Sequence, residues 1–247
     1  MANPVKIRGT VSSLTKHDEG VFTVTFVPER RVPRFKAGQF LHLALDDFDP
    51  QGGFWPESRV FSIASAPASP EIEIVYSVKG RYTSRMQNEL MNGRKVWLKL
   101  PYGAFSIDNT VTAGNDVVLV AGGTGISPFL SYLRTLLGNG QCGRRIHLLY
   151  GIRRLEHLLC ADVLSSCCSM VPGFNMDLYI EQETGCILPQ ATQHQGMIQT
   201  ERILSAGKSM ADPAYFLSGP PAMIAFFKNG LTAAGIRPER IKIDEWE

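Results

Sequence analysis

The sequence predicts an α+β protein of two domains in series, an antiparallel β-barrel followed by a doubly wound parallel α/β domain. Three observations predict this. Stretches of the first hundred residues alternate polar and apolar with a period of two, the pattern of strands with one buried face. Around residues 107–116 (IDNTVTAGND) the chain turns small and polar. Beyond that point short apolar runs mostly alternate with helical patterns, the rhythm of a parallel sheet built from βαβ units. A chain of 247 residues accommodates two domains, each of about 110–140 residues. The boundary is placed near residue 110, giving domains 1–110 and 111–247.

In the first domain, residues 21–27 and 40–45 are strand-like, and EIEIVYSV at 71–78 mostly alternates. KVWLKL at 95–100 alternates too, with Trp97 as the exception. Several short strands separated by Gly and Pro suggest a barrel or sandwich, and one helix candidate, residues 83–92, interrupts them. In the second domain the apolar strand candidates are residues 117–120, 146–150, 176–180, 215–217 and 241–243.

The totals exclude several classes. A net charge of +2, with 44% hydrophobic and 19% charged residues, describes an ordinary folded protein. No run of Lys and Arg has the density of a nucleic-acid tract, so no nucleic-acid partner is expected. The five cysteines (Cys142, Cys160, Cys167, Cys168, Cys186) show neither CxxC spacing nor an iron–sulfur pattern and read as thiols in a reducing compartment. The five histidines (His17, His42, His147, His157, His194) lack metal spacing, and no Ser/His/Asp or Cys/His set stands out. Metal and hydrolytic chemistry therefore fit poorly, and no metal site is expected. The segment MANPVKIRGT has no apolar h-region and no run of about 18 apolar residues occurs. The expectation is a cytoplasmic protein with no membrane span.

AGGTGISP, residues 121–128, places Gly122, Gly123, Thr124 and Gly125 between an apolar strand and a helix start. It lacks the Lys-Ser/Thr of a GxxxxGK[ST] loop and the third glycine of GxGxxG. Ser127 is a favoured N-cap and Pro128 suits the first helical position. Phe129, Leu130, Leu133, Leu136 and Leu137 then form one helical stripe, ended by Gly138-Asn139-Gly140. Backbone N–H groups and the helix dipole favour an anion at such a place, although a plain tight turn also needs glycine. Ser218-Gly219-Pro220-Pro221 follows a second strand candidate and precedes a helix with Met223, Ile224, Phe227 and Leu231 on one face. Two glycine turns at strand ends can flank one dinucleotide where strand order reverses.

In the first domain, Arg59-Val60-Phe61-Ser62 lies between strand candidates. Taken alone it reads as a strand with Phe61 inward and Arg59 solvated. The same residues suit a flat, phosphorylated ligand, with Arg on phosphate, the ring stacked and the hydroxyl on the ligand's edge. Gly80-Arg81-Tyr82-Thr83-Ser84 opens the helix candidate, where hydroxyls signal capping or an anion site.

At these residues the sequence resembles the ferredoxin–NADP+ reductase superfamily. RVFSIAS resembles its RxYS flavin motif, GRYTS its GxxS/T pyrophosphate motif, AGGTGISP its nicotinamide-nucleotide loop and YFLSGPPAM its CGPPxM segment. The four occur in family order, and with Tyr150-Gly151-Ile152-Arg153 and Asp244-Glu245-Trp246 they cover nearly the whole chain. The resemblance implies a flavin-binding barrel and a pyridine-nucleotide domain, with non-covalent FAD favoured over FMN and NAD(P)H as co-substrate. It implies that Arg59 pairs with the FAD pyrophosphate, assisted by backbone around Gly80, Tyr82, Thr83 and Ser84. Phe61 would stack on the isoalloxazine beside Val60, and Trp246 would cover its other face. Gly122 to Gly125, Arg153, Gly219 and Pro220 would hold the dinucleotide. Ser62, Ser218 and Glu245 would stand at the reacting centre.

Three departures stand out. Phe61 replaces the usual Tyr, keeping the ring and losing the phenol. Ser218 replaces the usual Cys. Glu181-Gln182-Glu183 occupies what resembles a Ser/Thr-Arg-Glu segment, where an acidic residue suits ribose hydroxyls better than a 2′-phosphate, a lean toward NADH. The expected function is hydride transfer from NAD(P)H to FAD, then release of single electrons to a separate acceptor such as a ferredoxin or an oxygenase's iron–sulfur protein. Reduction of free flavin or ferric chelates, an electron-passing subunit without independent turnover, and a nucleotide sensor without flavin are the alternatives.

Overall fold

The computed structural model describes residues 3–18, 20–112, 114–140, 142–182 and 188–244. The chain divides into two compact units, Met1–Ser106 and Ile107–Glu247.

The first unit contains strands β1 (Val5–Asp18), β2 (Val21–Pro28), β3 (Phe40–Ala44), β4 (Ser58–Ser62), β5 (Ile72–Ser77) and β6 (Lys95–Tyr102), with helix α1 (Arg81–Glu89) between the last two. All pairings are antiparallel, in the order β4-β3-β6-β1-β2-β5. The barrel closes through a bridge between Ile63, just beyond β4, and Ile74 of β5. Its interior is filled by alternate residues such as Ile7, Val24, Phe26, Leu41, Leu43, Ile72, Ile74 and Leu98. Tyr82 and Met86 of α1, with Leu90 just after it, join this core. The Tyr82 hydroxyl donates to the Leu43 carbonyl at 2.7 Å and accepts the Leu45 N–H at 3.2 Å.

Strand β1 is the longest element and has little apolar pattern, because bulges between Val11 and Ser13 and between Lys16 and Asp18 break its alternation. Gly9 sits where a Cβ would come within 3.1 Å of Leu98 and 3.3 Å of Phe26. Trp97 breaks the alternation of β6 for a different reason. It joins a second small cluster with Ala44, Phe48 and Trp55, and its Nε1 donates to Asp47 at 3.1 Å.

The second unit contains α2 (Ile107–Thr110), β7 (Val117–Gly122), α3 (Ser127–Asn139), β8 (Ile146–Ile152), α4 (Ala161–Met170), β9 (Phe174–Ile180), β10 (Thr192–Gln195), α5 (Thr200–Lys208), β11 (Ala214–Ser218), α6 (Pro221–Ala233) and β12 (Ile241–Ile243). Every pairing is parallel, in the order β10-β9-β8-β7-β11-β12. Val118, Val120, Leu149 and Leu217 pack with Ile203, Phe227 and Leu231 from α5 and α6. The alternate residues Val117, Leu119, Leu148 and Phe216 are equally buried, as expected of a parallel sheet covered on both faces.

Two polar knots hold this sheet. Asp116, 4% exposed, accepts the Arg145 N–H at 2.7 Å, Arg145 Nε at 2.9 Å and the Ala211 N–H at 2.7 Å. It thereby ties the entry of β7 to those of β8 and β11. At the other side, Asp177 of β9 lies 2.9 Å from His147 Nε2 on β8 and 3.2 Å from His194 Nε2 on β10. His194 also stacks on Tyr179, with ring centres 4.6 Å apart.

Burial alone would raise the Asp116 pKa, but the Ala211 and Arg145 N–H groups and the Arg145 charge outweigh it and hold the carboxyl below the usual range. A depressed folded-state pKa contributes stability above the unfolded-state value and loses it as pH falls through the folded one. Asp116→Ala is therefore expected to lower unfolding stability by about 2–4 kcal/mol at neutral pH. Urea unfolding of both proteins should show that difference shrinking as pH drops below the ordinary carboxylate range.

Candidate functional site

The chain leaves β7 toward β8 on one side of the sheet and reaches β11 on the other, so strand order reverses between β7 and β11. Ligands in open α/β sheets bind beyond the strand ends at such a point. Here the two glycine turns meet. Ser218 pairs in register with Ala121, and a Cβ on Gly125 would fall 2.4 Å from the Ser218 carbonyl oxygen. A Cβ on Gly122 would lie 2.6 Å from Met223 Sδ, and one on Gly219 would lie 3.1 Å from the Gly122 nitrogen. A Cβ at Gly125 would meet only backbone, whereas at Gly122 and Gly219 it would first meet the Met223 side chain, so backbone and Met223 together line the place where α3 and α6 begin.

Gly123 differs from its neighbours. Its φ is +53° and no atom stands within 4 Å of its Cβ position, so it serves the turn rather than the packing. It opens a 3-10 turn, Gly123–Ile126, that runs straight into α3. Ser127 is consequently not the N-cap expected from the sequence. Ile126 holds that place, and the Ser127 hydroxyl donates to the Thr124 carbonyl at 2.7 Å. Pro220 occupies the N-cap of α6.

The Ser218 hydroxyl, fully buried, donates to Asp244 Oδ2 at 3.0 Å. Asp244 is itself 4% exposed, and its N–H bonds the Leu217 carbonyl at 2.9 Å. Sequence reasoning named Asp244 within DEW but gave the reacting role to Glu245. The signal for Asp244 was register: Leu217 pairs with Ile243, so Ser218 and Asp244 are the next residues on neighbouring parallel strands. Glu245 and Trp246 lie outside the described residues, as does Glu183. At the ends of β8 and β9, the Gln182 N–H bonds the Arg153 carbonyl at 3.0 Å, which sets exposed Arg153 beside exposed Glu181.

In the barrel, Arg59 and Phe61 lie on the same face of β4, and Val60 and Ser62 on the other. Phe61 packs in the barrel interior, 8% exposed, with its ring edge-on to Tyr76. Val60 is half-buried and pairs with His42. Arg59 reaches the surface, where its guanidinium bonds the Ser58 carbonyl at 2.8 Å and Glu57 at 3.2 Å and lies 5.0 Å from the Tyr82 ring. Glu57 also meets Arg81 at 3.4 Å. The Ser62 hydroxyl is buried and has no hydrogen-bond partner among the described residues.

Helix α1 starts from Gly80, whose φ of +91° suits glycine and around which nothing stands within 4 Å of a Cβ. No side chain caps it. The hydroxyls of Thr83 and Ser84 instead turn back to the Gly80 carbonyl at 3.2 and 3.0 Å. The first helical bond runs from the Ser84 N–H to that carbonyl. The N–H groups of residues 81–83 precede it and find no acceptor within the helix. Arg59, 5.0 Å from the Tyr82 ring, and Arg81 stand at this helix start, both paired with Glu57, and with these donors they form an arrangement suited to an anion.

Residues 119–229, within the second unit, match the oxidoreductase NAD-binding domain family. The chain is 27% identical over 234 residues to the 2-halobenzoate 1,2-dioxygenase electron transfer component of Burkholderia cepacia, covering 94% of this chain and 62% of that protein. It is 28% identical over 228 residues to the phenol 2-monooxygenase reductase component of Pseudomonas sp. strain CF600, covering 91% and 61%. It thus spans about three-fifths of the length of these relatives. Its fold matches a ferredoxin NADP+ reductase from Neisseria gonorrhoeae, solved with FAD and NADP bound, with a TM-score of 0.73 at 18% identity over 98% of each chain. These likenesses agree with the resemblance to the ferredoxin–NADP+ reductase superfamily carried by the sequence motifs.

The glycine geometry has a direct consequence. Gly125→Ala must push the two turns apart and is expected to cost about 2–3 kcal/mol. Gly123→Ala meets open space and costs only the left-handed backbone, about 1–2 kcal/mol. Thermal melts of the two variants should rank them in that order.

Proposed function

We propose that the chain is a flavin-dependent NAD(P)H oxidoreductase that delivers electrons to a separate acceptor. The observation that supports this most is the contact of the two glycine turns at the strand-order reversal, where Gly125 meets the Ser218–Gly219 backbone. The barrel adds a second fit. A buried Ser62 hydroxyl with no partner among the described residues and an anion-suited helix start beside Arg59 match a phosphorylated, hydrogen-bonding ligand. FAD is the proposed flavin, with FMN the less favoured alternative.

A nicotinamide dinucleotide and a flavin, when bound, supply two-electron hydride transfer and then one-electron release, chemistry that is their own. This chain's residues bind and position. Arg59 and the N–H groups of residues 81–83 hold diphosphate, with Gly80 leaving the approach open. Ser62 offers its hydroxyl to the flavin's edge, and Phe61 supports that region from inside the barrel. Gly122, Gly123, Thr124, Gly125, Gly219 and Pro220 carry the dinucleotide on backbone. Ser218, fixed by the buried Asp244 carboxylate, orients the nicotinamide ring. Such positioning accounts for several kcal/mol of barrier lowering, on the order of that gained by intramolecular reactions.

Glu181, exposed beside Arg153, favours ribose hydroxyls over a 2′-phosphate, so NADH is the proposed electron donor. The acceptor is proposed to be an iron–sulfur protein or an oxygenase component. The similar proteins named above support this, being electron transfer and reductase components of oxygenase systems. Among the described residues no helix is long and apolar enough to cross a membrane, and Cys142, Cys160, Cys167 and Cys168 form no disulfide there. These support a cytoplasmic setting.

The test is an absorption spectrum of the purified full chain, reconstituted with FAD or FMN and titrated with each nucleotide. Oxidised-flavin bands that bleach faster with NADH than with NADPH are the expected result; a protein that takes up neither flavin would overturn the reading. Glu181→Arg is expected to shift the NADPH/NADH ratio of kcat/KM by about tenfold or more toward NADPH, the worth of one charge-assisted contact. Ser218→Ala should slow flavin reduction while leaving flavin affinity unchanged, measured by stopped-flow and by fluorescence titration.

A further inference from the structure

Strands β4 and β5 are joined by the single bridge Ile63–Ile74 and by the bond from the Ala64 N–H to the Glu73 carbonyl at 2.8 Å. Two residues further along each strand, on the same face, stand Phe61 and Tyr76. No ladder joins the strands there among the described residues. The two rings instead meet edge to face, centres 6.1 Å apart and planes at 66°. Phe22 stacks on the other side of Tyr76 at 5.2 Å, so the phenol ring is clamped in place.

The Tyr76 hydroxyl is buried and has no hydrogen-bond partner among the described residues. An unsatisfied buried hydroxyl lowers stability, and a phenylalanine would pack the same ring without it. The neighbouring ring presents the complementary oddity. Phe61 stands where the flavin motif it resembles has a tyrosine, and so carries the ring but no hydroxyl. One ring of the pair has lost a phenol, and the ring touching it has a phenol with nothing to bond.

We infer that Tyr76 supplies to the flavin, from the facing strand across the opened seam, the phenolic hydrogen bond that Phe61 cannot make. This rests on the flavin reading above. Burial as the main influence raises the Tyr76 pKa well above its ordinary value, so the hydroxyl keeps its proton and acts as a donor throughout the working pH range. Tyr76 is thus a binding residue, and no electron or proton passes through it.

The experiment compares the full-length wild type, Tyr76→Phe, and Tyr76→Phe combined with Phe61→Tyr. Each is stripped of flavin and titrated with FAD by fluorescence, and each flavin-free sample is melted. Tyr76→Phe is expected to raise the melting temperature of the flavin-free protein while weakening FAD binding about five- to tenfold, the worth of one hydrogen bond. The double variant, with the phenol moved to the other ring, should recover FAD affinity to within about threefold of wild type. If wild type binds FAD and Tyr76→Phe binds it equally well, the inference is wrong and the flavin reading stands. If Tyr76→Phe melts lower and the double variant recovers no affinity, the hydroxyl is structural and the inference is equally wrong. If wild type binds neither FAD nor FMN, the flavin reading falls and takes this inference with it.

Discussion

Two backbones approach so closely beyond β7 and β11 that only glycine can separate them. The Ser218 carbonyl would lie 2.4 Å from any Cβ at Gly125, well inside van der Waals contact. This constraint organises the second unit. It brings the starts of α3 and α6 together, and with them the N–H groups of two helix ends. It also requires that β7 and β11 stay in step along their length. That is the work of Asp116 at the opposite end of β7, where one buried carboxylate takes three N–H donors from the segments feeding β8 and β11.

The barrel solves a different problem. Its strands pair fully except at the seam between β4 and β5, where one bridge does the closing. Tyr82 joins the core and makes two strong bonds with its hydroxyl. Near the seam, by contrast, the hydroxyls of Ser62 and Tyr76 are buried and have no partner among the described residues. A well-packed barrel with unmatched polar atoms at one place is locally inconsistent, and such inconsistencies concentrate where proteins meet ligands.

Much of this was legible in the sequence, and the exceptions have physical causes. The apolar strands β7, β8, β9 and β11 announced themselves, because a strand buried on both faces must be apolar throughout. Strand β1 did not, because its bulges reset the alternation twice and Gly9 replaces one inward side chain. Strand β10 (TQHQ) carries no apolar residue at all; its place is held by Asp177, which only the fold brings near His194. Ser127 looked like a cap because the sequence cannot show that a 3-10 turn precedes it. Thr83 and Ser84 looked like caps as well, yet bond a carbonyl. The motif residues around Gly122, Ser218 and Arg59 were readable individually. That Asp244 meets Ser218 follows from strand register, a property of two segments far apart in the chain.

The two outermost strands of the parallel sheet, β10 and β12, have four and three residues. One is wholly polar and has its imidazole turned onto Asp177 and Tyr179. A sheet edge with exposed backbone is a template on which another chain can add a strand, and long apolar edges are the usual start of aggregation. Edges this short, one of them this polar, give an incoming strand little to pair with and little to bury. The feature that hid β10 from a reading of hydrophobic pattern is the same one that keeps the sheet from growing beyond its sixth strand.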